Sequence, residues 1–251
     1  MDRDASTLLR ETPPAAETVF CRAHGLAALI QRWEFEQTIQ GFDELSIVEI
    51  HRGLLADLGR WIDTEGLRPY LTESELALLA APLGHWTVEL VDGVGWRMEP
   101  LGVLVWALGL NKSMPPYDRR CSHDELLMRL RLGKPLQPQR EAAKLLPEAQ
   151  LQSALQAAQL WEWRAHTAEI LHNPAQIPAT VDLEAFVTQQ ARTARQQGLI
   201  PEPIDGDFPA LGRAYRTLSE TQRVLLAAIA KERTETLRWL CGQTAPVRPA
   251  A

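Results

Sequence analysis

The chain has 251 residues, of which 45% are hydrophobic and 23% are charged, and this balance predicts a folded globular protein rather than a disordered one. A formal net charge of −6 provides no general attraction for nucleic acid or for an anionic membrane surface. The longest apolar run, at 101–110, has half of the roughly 20 residues that a membrane-spanning helix needs.

The two ends of the chain differ from the part between them. The N-terminus is charged and lacks the apolar stretch of a secretory signal, so we expect a cytoplasmic protein. We predict a flexible N-terminus at 1–14, a single helical domain at 15–242 and a flexible tail at 243–251. A division into two lobes near 135–147, where glycine and proline accumulate, is the alternative.

Helix-start signals recur along the sequence. Four times a serine or threonine is followed three residues later by glutamate or glutamine, which is the capping-box pattern. These pairs are Ser46 with Glu49, Thr72 with Glu75, Ser122 with Glu125, and Ser219 with Gln222. Two of the four also carry the residue pair of a hydrophobic staple, Leu45 with Ile50 and Leu71 with Leu76.

These starts and the apolar spacing predict an all-α fold of about eight helices around a central buried helix, with at most one short β-hairpin. The predicted helices lie at 15–33, 46–65, 72–81, 100–110, 122–131, 148–171, 182–197 and 219–241. The run at 86–91 alternates weakly and is the only stretch that predicts a strand. Loops are predicted at 133–147 and 198–209, which are rich in glycine and proline.

The predicted helix at 46–65 has one apolar side, and we expect that side to face the core. It consists of Ile47, Ile50, Leu54, Leu58, Trp61 and Ile62. His51 lies within this stripe, where a hydrogen-bonded core histidine and a ligand-binding histidine are both possible.

The predicted helix at 100–110 is apolar on all sides and is therefore expected to be the central, buried helix. Trp96, Arg97 and Glu99 stand just before it, so an arginine and a carboxylate lie at its positive end. They form either an ion pair at the helix entrance or half of a polar pocket.

Arg233 falls in the middle of the apolar stripe of the last helix, so we predict that it is buried. A buried arginine keeps its charge and needs carboxylates, carbonyls or a bound anion as partners. Glu99, Asp205 and Asp207 are the candidate carboxylates. The two interpretations are a structural ion pair and an anion-binding role.

Metal binding has one weak signal, because Glu162, His166 and Glu169 line one border of a helix. Glu169 and His172 also form one Glu-x-x-His unit, but di-iron helical bundles need two, so a half-solvated charged border is the simpler interpretation. Cys21, Cys121 and Cys241 are far apart and predict free thiols rather than a zinc site. We therefore expect no cofactor and no metal.

Several motifs together resemble a bacterial family known only as domain of unknown function 4272. They are WRME at 96–99, VWALG at 105–109, LWEWR at 160–164, DGDFP at 205–209, ER at 232–233 and WLCG at 239–242. The resemblance extends over 20–242. The sequence departs from the family pattern at Pro100, where alanine is usual, at Thr234, where histidine is usual, and in its Pro-Ala tail, which replaces an acidic end.

The resemblance supports the fold and names no reaction, but it implies that several residues converge in space as a candidate ligand site. The candidate site consists of Trp163 and these converging residues, which are Trp96, Arg97, Glu99, Arg164, Asp205, Asp207 and Arg233.

Phosphate-binding glycine loops, nucleophile elbows and His-Glu-x-x-His motifs are absent from the sequence. The favoured hypothesis is accordingly a non-enzymatic helical binding or interaction module with a protein partner. The alternative is a protein that binds a small anion, or an enzyme on an acidic metabolite, with Arg97, Arg164 and Arg233 lining the pocket. Neither nucleic acid nor a membrane is an expected partner, and the sequence leaves the ligand and the oligomeric state open.

Overall fold

The computed structural model describes residues 12–41, 44–172 and 182–243. These residues form ten α-helices, two short 3-10 helices and one antiparallel hairpin of two strands. The α-helices are α1 (Ala16–Gly41), α2 (Leu45–Thr64), α3 (Glu73–Ala80), α4 (Val88–Gly95), α5 (Met98–Ala107), α6 (His123–Leu130), α7 (Gln137–Ala142), α8 (Glu148–His172), α9 (Leu183–Gln196) and α10 (Glu220–Leu240). The strands are β1 (Pro209–Ala210) and β2 (Arg213–Ala214). The predicted all-α class with one short hairpin is confirmed.

The chain divides into two compact units. Unit 1 contains α1 to α7, and unit 2 contains Met114–Arg120, α8, α9, the hairpin and α10. A single domain over 15–242 stays a prediction, and most of the ends at 1–14 and 243–251 lie outside the described residues. No helix in the described ranges has both the length and the apolar character needed to cross a membrane.

In unit 1 the helix around which the others pack is α1, which contacts each of α2 to α7, whereas α5, the predicted central helix, packs against α1 and α6. Every residue of α5 except Pro100 is buried, so the prediction of a buried apolar helix at this place is confirmed. Leu29 of α1 joins Trp86, Val91 and Val94 in a second apolar cluster of the same unit.

The predicted strand at 86–91 is wrong, because this stretch leads into α4. The Thr87 hydroxyl accepts a hydrogen bond from the Leu90 N–H at 3.3 Å and caps the helix. Val91, Val94 and Gly95 are its buried residues, and this spacing follows a helix rather than a strand. The predicted loop at 133–147 likewise contains α7, and α1 runs eight residues beyond its predicted end at 33.

Two of the four predicted capping boxes form. Thr72 and Ser219 each accept a hydrogen bond from the residue three positions later, and that residue's side chain bonds back to the N-cap N–H. The other two boxes are wrong, because α2 begins at Leu45, which places Ser46 inside the helix, and Ser122 makes no side-chain cap. The Leu45–Ile50 staple is also wrong, since both side chains are exposed.

The apolar stripe of α2 faces the core only in its C-terminal half, where Leu58, Trp61 and Ile62 are buried. In the N-terminal half, Ile50 is 61% exposed and Leu54 is 43% exposed. The expectation that the whole stripe packs on the core is therefore wrong for this half.

In unit 2, α8 and α10 form the main helix pair and α9 packs on α8. Trp161 of α8 lies at the centre of an aromatic cluster with Tyr117, Phe208 and Tyr215. Met114–Arg120 belongs to this unit because Tyr117 stacks on Trp161, with ring centroids 5.5 Å apart.

Candidate functional site

Arg164 and Asp207 form a buried ion pair in unit 2. The Arg164 Nε and Nη2 atoms donate to the two Asp207 carboxylate oxygens at 2.7 and 2.8 Å, and both side chains are 1% exposed. Asp207 also accepts from the N–H groups of Phe208 and Arg216. Burial alone would raise the pKa of Asp207, but Arg164 and these two N–H groups lower it below its usual value.

A tight turn positions this carboxylate. Asp205 and Gly206 have φ angles of +50° and +76°, and Ile204 and Asp207 exchange both backbone hydrogen bonds across them. Asp-Gly is a preferred pair for such a turn because both central residues are left-handed. Asp205 contributes its carbonyl, which accepts from both terminal nitrogens of Arg216 at 3.0 Å.

The Arg164 guanidinium lies over the Tyr215 ring, 4.6 Å from its centroid. Within the described part of the chain, the Arg164 Nη1 atom and the Tyr215 hydroxyl are buried without a hydrogen-bond partner. Burial raises the pKa of Tyr215 to about 12, so the hydroxyl stays protonated at neutral pH.

Arg233 is fully buried, as predicted, and it binds main-chain carbonyls. Nη1 donates to Pro115 and Pro116 at 2.7 and 2.9 Å, and Nη2 donates to Arg119 at 3.1 Å. The guanidinium also lies 5.3 Å from the Tyr117 ring centroid. Asp207, one of its candidate partners, is instead paired with Arg164. Arg233 thus ties Met114–Arg120 to α10.

The predicted site residues of unit 1 contact different groups within that unit. The buried Glu99 carboxylate accepts from the Cys121 N–H at 3.0 Å and from its thiol at 3.4 Å. Arg97 is half-exposed and lies 4.0 Å from Glu75, and Trp96 is half-buried at the end of α4. Glu75 in turn receives two hydrogen bonds from Arg22.

Unit 1 also contains a buried ion pair that the sequence analysis did not predict, between Arg32 and Glu36 on α1. Arg32 donates to the carbonyls of Ala81 and Pro82, and Glu36 accepts from the Gly84 N–H at 3.0 Å. The sequence feature that could have predicted this ion pair is the i, i+4 spacing of two opposite charges within a helix that is apolar on most sides.

The described histidines and cysteines take ordinary structural positions. His51 is half-buried against the Phe35 ring, and one of its ring nitrogens lies 2.8 Å from the Ile47 carbonyl oxygen of the same helix. All three cysteines are free thiols, which confirms that prediction. Among the residues with described positions, no group of three or more His, Cys, Asp or Glu side chains could hold a metal ion, and the side chain of His172 is outside that set.

A cleft of about 620 Å³ lies between α8 and α10 in unit 2. Of the predicted site residues, Trp163 lines it, while the arginine in its wall is Arg238. Its other charged or titratable lining residues are Glu162, His166, Glu169 and Lys231.

An exposed apolar face is the second feature that could bind another molecule. We call it the α2 surface and define it as Ile47, Ile50, His51 and Leu54. Ile50 and Leu54 are exposed, and Ile47 and His51 are half-buried.

The family model described as domain of unknown function (DUF4272) matches residues 9–191, which is more than half of the chain. The chain belongs to this family. The description names no activity. No curated protein and no solved structure matches the chain.

The DUF4272 match covers helices α1 to α7 of unit 1, and in unit 2 it covers all of α8 and the part of α9 at 183–191. It therefore includes the α2 surface and Trp96, Arg97, Glu99, Trp163 and Arg164. The match begins before residue 20 and ends before Asp205, so the motifs at 205–209, 232–233 and 239–242 lie beyond it.

Proposed function

We propose that the chain is a non-enzymatic binding module of the bacterial cytoplasm and that the α2 surface is where an apolar helix of a protein partner binds. The observation that carries the proposal is the exposure of Ile50 and Leu54 on a stripe that continues into the core at Leu58 and Trp61. The apolar spacing of α2 is typical of a buried helix, yet part of it is exposed in the single chain. Exposed apolar residues of this kind are typical of a surface that a partner covers.

The charges of α2 favour an apolar partner. Glu49 pairs with Arg52, and Asp57 pairs with Arg60, so the charged side of the helix is largely neutralised within the helix itself. Binding energy must then come from the burial of Ile50 and Leu54. With three acidic and two basic residues, α2 also has no attraction for an anionic membrane surface.

The shape of the α2 surface favours a helix as its occupant. Ile50 and Leu54 are four residues apart and form a short exposed ridge along the helix axis, about 6 Å long. Such ridges pack into the grooves of a second helix.

The predicted arginine clamp has less support, because two of its three arginines already hold other parts of the chain. Arg164 is bidentate to Asp207, and Arg233 binds three carbonyls. An incoming anion would have to compete with these contacts.

Site-specific photo-crosslinking in cells tests the proposal. A benzophenone amino acid at Ile50 should give one defined cross-linked protein, and Leu54→Glu in the same chain should abolish that product. The control carries the same group at Met128, which is 75% exposed on α6 of the same unit. The proposal is wrong if both positions give the same products, or if the product at Ile50 survives Leu54→Glu. A cross-linked dimer of the chain would show that the occupant is a second copy.

A further inference from the structure

The cleft between α8 and α10 is an open groove whose volume could accommodate a small molecule. Its volume of about 620 Å³ falls within the ordinary range for ligand pockets, roughly 300–1,000 Å³. Both walls are α-helical, so the lining side chains are held on rigid elements.

The charges of the cleft cancel. Glu162 and Glu169 oppose Lys231 and Arg238, so the formal charges of these four residues sum to zero. A cleft with this balance has no preference for a simple anion or a simple cation.

One charge of each sign remains available to a ligand. Arg238 and Glu162 are 3.3 Å apart and neutralise each other. In the part of the chain that the structure describes, Lys231 has no ion-pair partner, and Glu169 has only His166 at 3.8 Å. Lys231 can therefore receive a carboxylate, and Glu169 can receive an ammonium group.

The cleft also offers an apolar surface. Trp163 is half-buried in its lining, and its ring packs edge-on against Phe186 with centroids 5.6 Å apart. Ala165 and Ala227 add small apolar side chains. An apolar or aromatic substituent on the ligand would pack there.

We infer that this cleft binds a small zwitterion, a molecule with one ammonium group, one carboxylate and an apolar side chain, as in an apolar α-amino acid. Lys231 binds the carboxylate, Glu169 binds the ammonium group, and Trp163 contacts the side chain. This site is independent of the proposed protein-binding role of the α2 surface.

Calorimetric titration with three matched probes tests the inference on the full chain. L-phenylalanine carries both charges, 3-phenylpropionate only the carboxylate, and phenethylamine only the ammonium group. L-phenylalanine should bind about fivefold more tightly than either analogue, since each exposed ion pair contributes up to about that factor.

Charge-removing variants assign the two contacts. Lys231→Gln should weaken L-phenylalanine and 3-phenylpropionate about fivefold and leave phenethylamine unchanged. Glu169→Gln should weaken L-phenylalanine and phenethylamine and leave 3-phenylpropionate unchanged. Arg192→Gln, at an exposed position on α9, is the matched control and should change none of the three.

Three results would each overturn the inference. One is no binding of L-phenylalanine up to about 10 mM, well beyond ordinary weak affinities. The second is equal binding of a singly charged analogue, which would indicate a simple anion or cation site. The third is an equal effect of Arg192→Gln, which would indicate non-specific electrostatics. These binding measurements do not depend on the α2 surface, so a negative result in the cross-linking experiment would leave them unaffected.

Discussion

Buried arginines in unit 2 hold chain segments in place. Arg233 binds carbonyls of Pro115, Pro116 and Arg119, and Arg164 binds Asp207 beside the hairpin. The sequence predicted the burial of Arg233 because it falls within an apolar stripe that includes Ile229 and Leu237, four positions away on either side. Its carbonyl partners lie more than 110 positions away in the chain, and periodicity carries no information about contacts at that distance.

Arg233→Ala should lower the free energy of unfolding by about 3 to 5 kcal/mol, because it leaves buried carbonyls without their charged donor. Urea unfolding monitored by circular dichroism measures the change. Arg238→Ala, on the same helix but about one-third exposed, should cost less than about 1 kcal/mol. A loss below about 0.5 kcal/mol for Arg233→Ala would show that these carbonyl contacts are not structural.

His24 shows a conflict between burial and hydrogen bonding. Its two ring nitrogens lie 2.8 and 3.0 Å from the carbonyl oxygens of Phe20 and Leu130, and only the charged imidazolium could donate to both. Burial has the larger effect and lowers the pKa of His24 below the ordinary histidine value of 6.5, although both carbonyls and Glu65 act to raise it. The folded chain therefore holds a neutral His24.

This lowered pKa predicts how stability depends on pH. Below pH 6.5 the unfolded chain binds a proton at His24 while the folded chain does not, so stability is present above that pH and is lost as the pH falls toward the folded pKa. Between pH 7.5 and 5.5, wild type should lose more unfolding free energy than His24→Gln, by at most about 1.4 kcal/mol. If wild type instead gains stability relative to this variant on acidification, the two carbonyls outweigh burial.

At the scale of elements, the periodicity of apolar residues predicted the ends of most helices to within a few residues. The local capping patterns were less reliable predictors. Ser122 precedes α6 with a glutamate three residues later and still makes no cap, whereas Thr87 caps α4 and lacks the complete capping-box pattern. A serine in the correct position forms a cap only if its backbone and side-chain torsions allow it. The sequence does not reveal those torsions.

The two N-caps predict different effects of alanine. Thr87→Ala should cost about 1 kcal/mol of unfolding free energy, because the Leu90 N–H loses its acceptor. Ser122→Ala should change stability by less than about 0.5 kcal/mol. Thermal unfolding of the two variants provides the comparison, and equal losses would show that the hydroxyl hydrogen bond at Thr87 contributes nothing.

For the whole molecule, the sequence predicted the class and the buried α5, but neither the α2 surface nor the α8–α10 cleft. The spacing of apolar residues in the sequence shows that Ile50, Leu54 and Leu58 share one side of α2, but it does not show that the core ends at Leu58. In the cleft, Glu162 forms an ion pair with Arg238, which is 76 positions away in the chain. Contacts of that kind come from helix packing, which a single sequence does not specify.

The central claim is that a protein partner binds the α2 surface, and the dissociation constant of the purified partner tests it most directly. Leu54→Glu places a charge in the proposed contact and should raise the dissociation constant at least about tenfold, while the loss of thermal stability should be smaller than for a core substitution because Leu54 is 43% exposed. Met128→Glu, the same change at an exposed position on α6, should alter it less than about twofold. Equal dissociation constants for Leu54→Glu and wild type would contradict the claim.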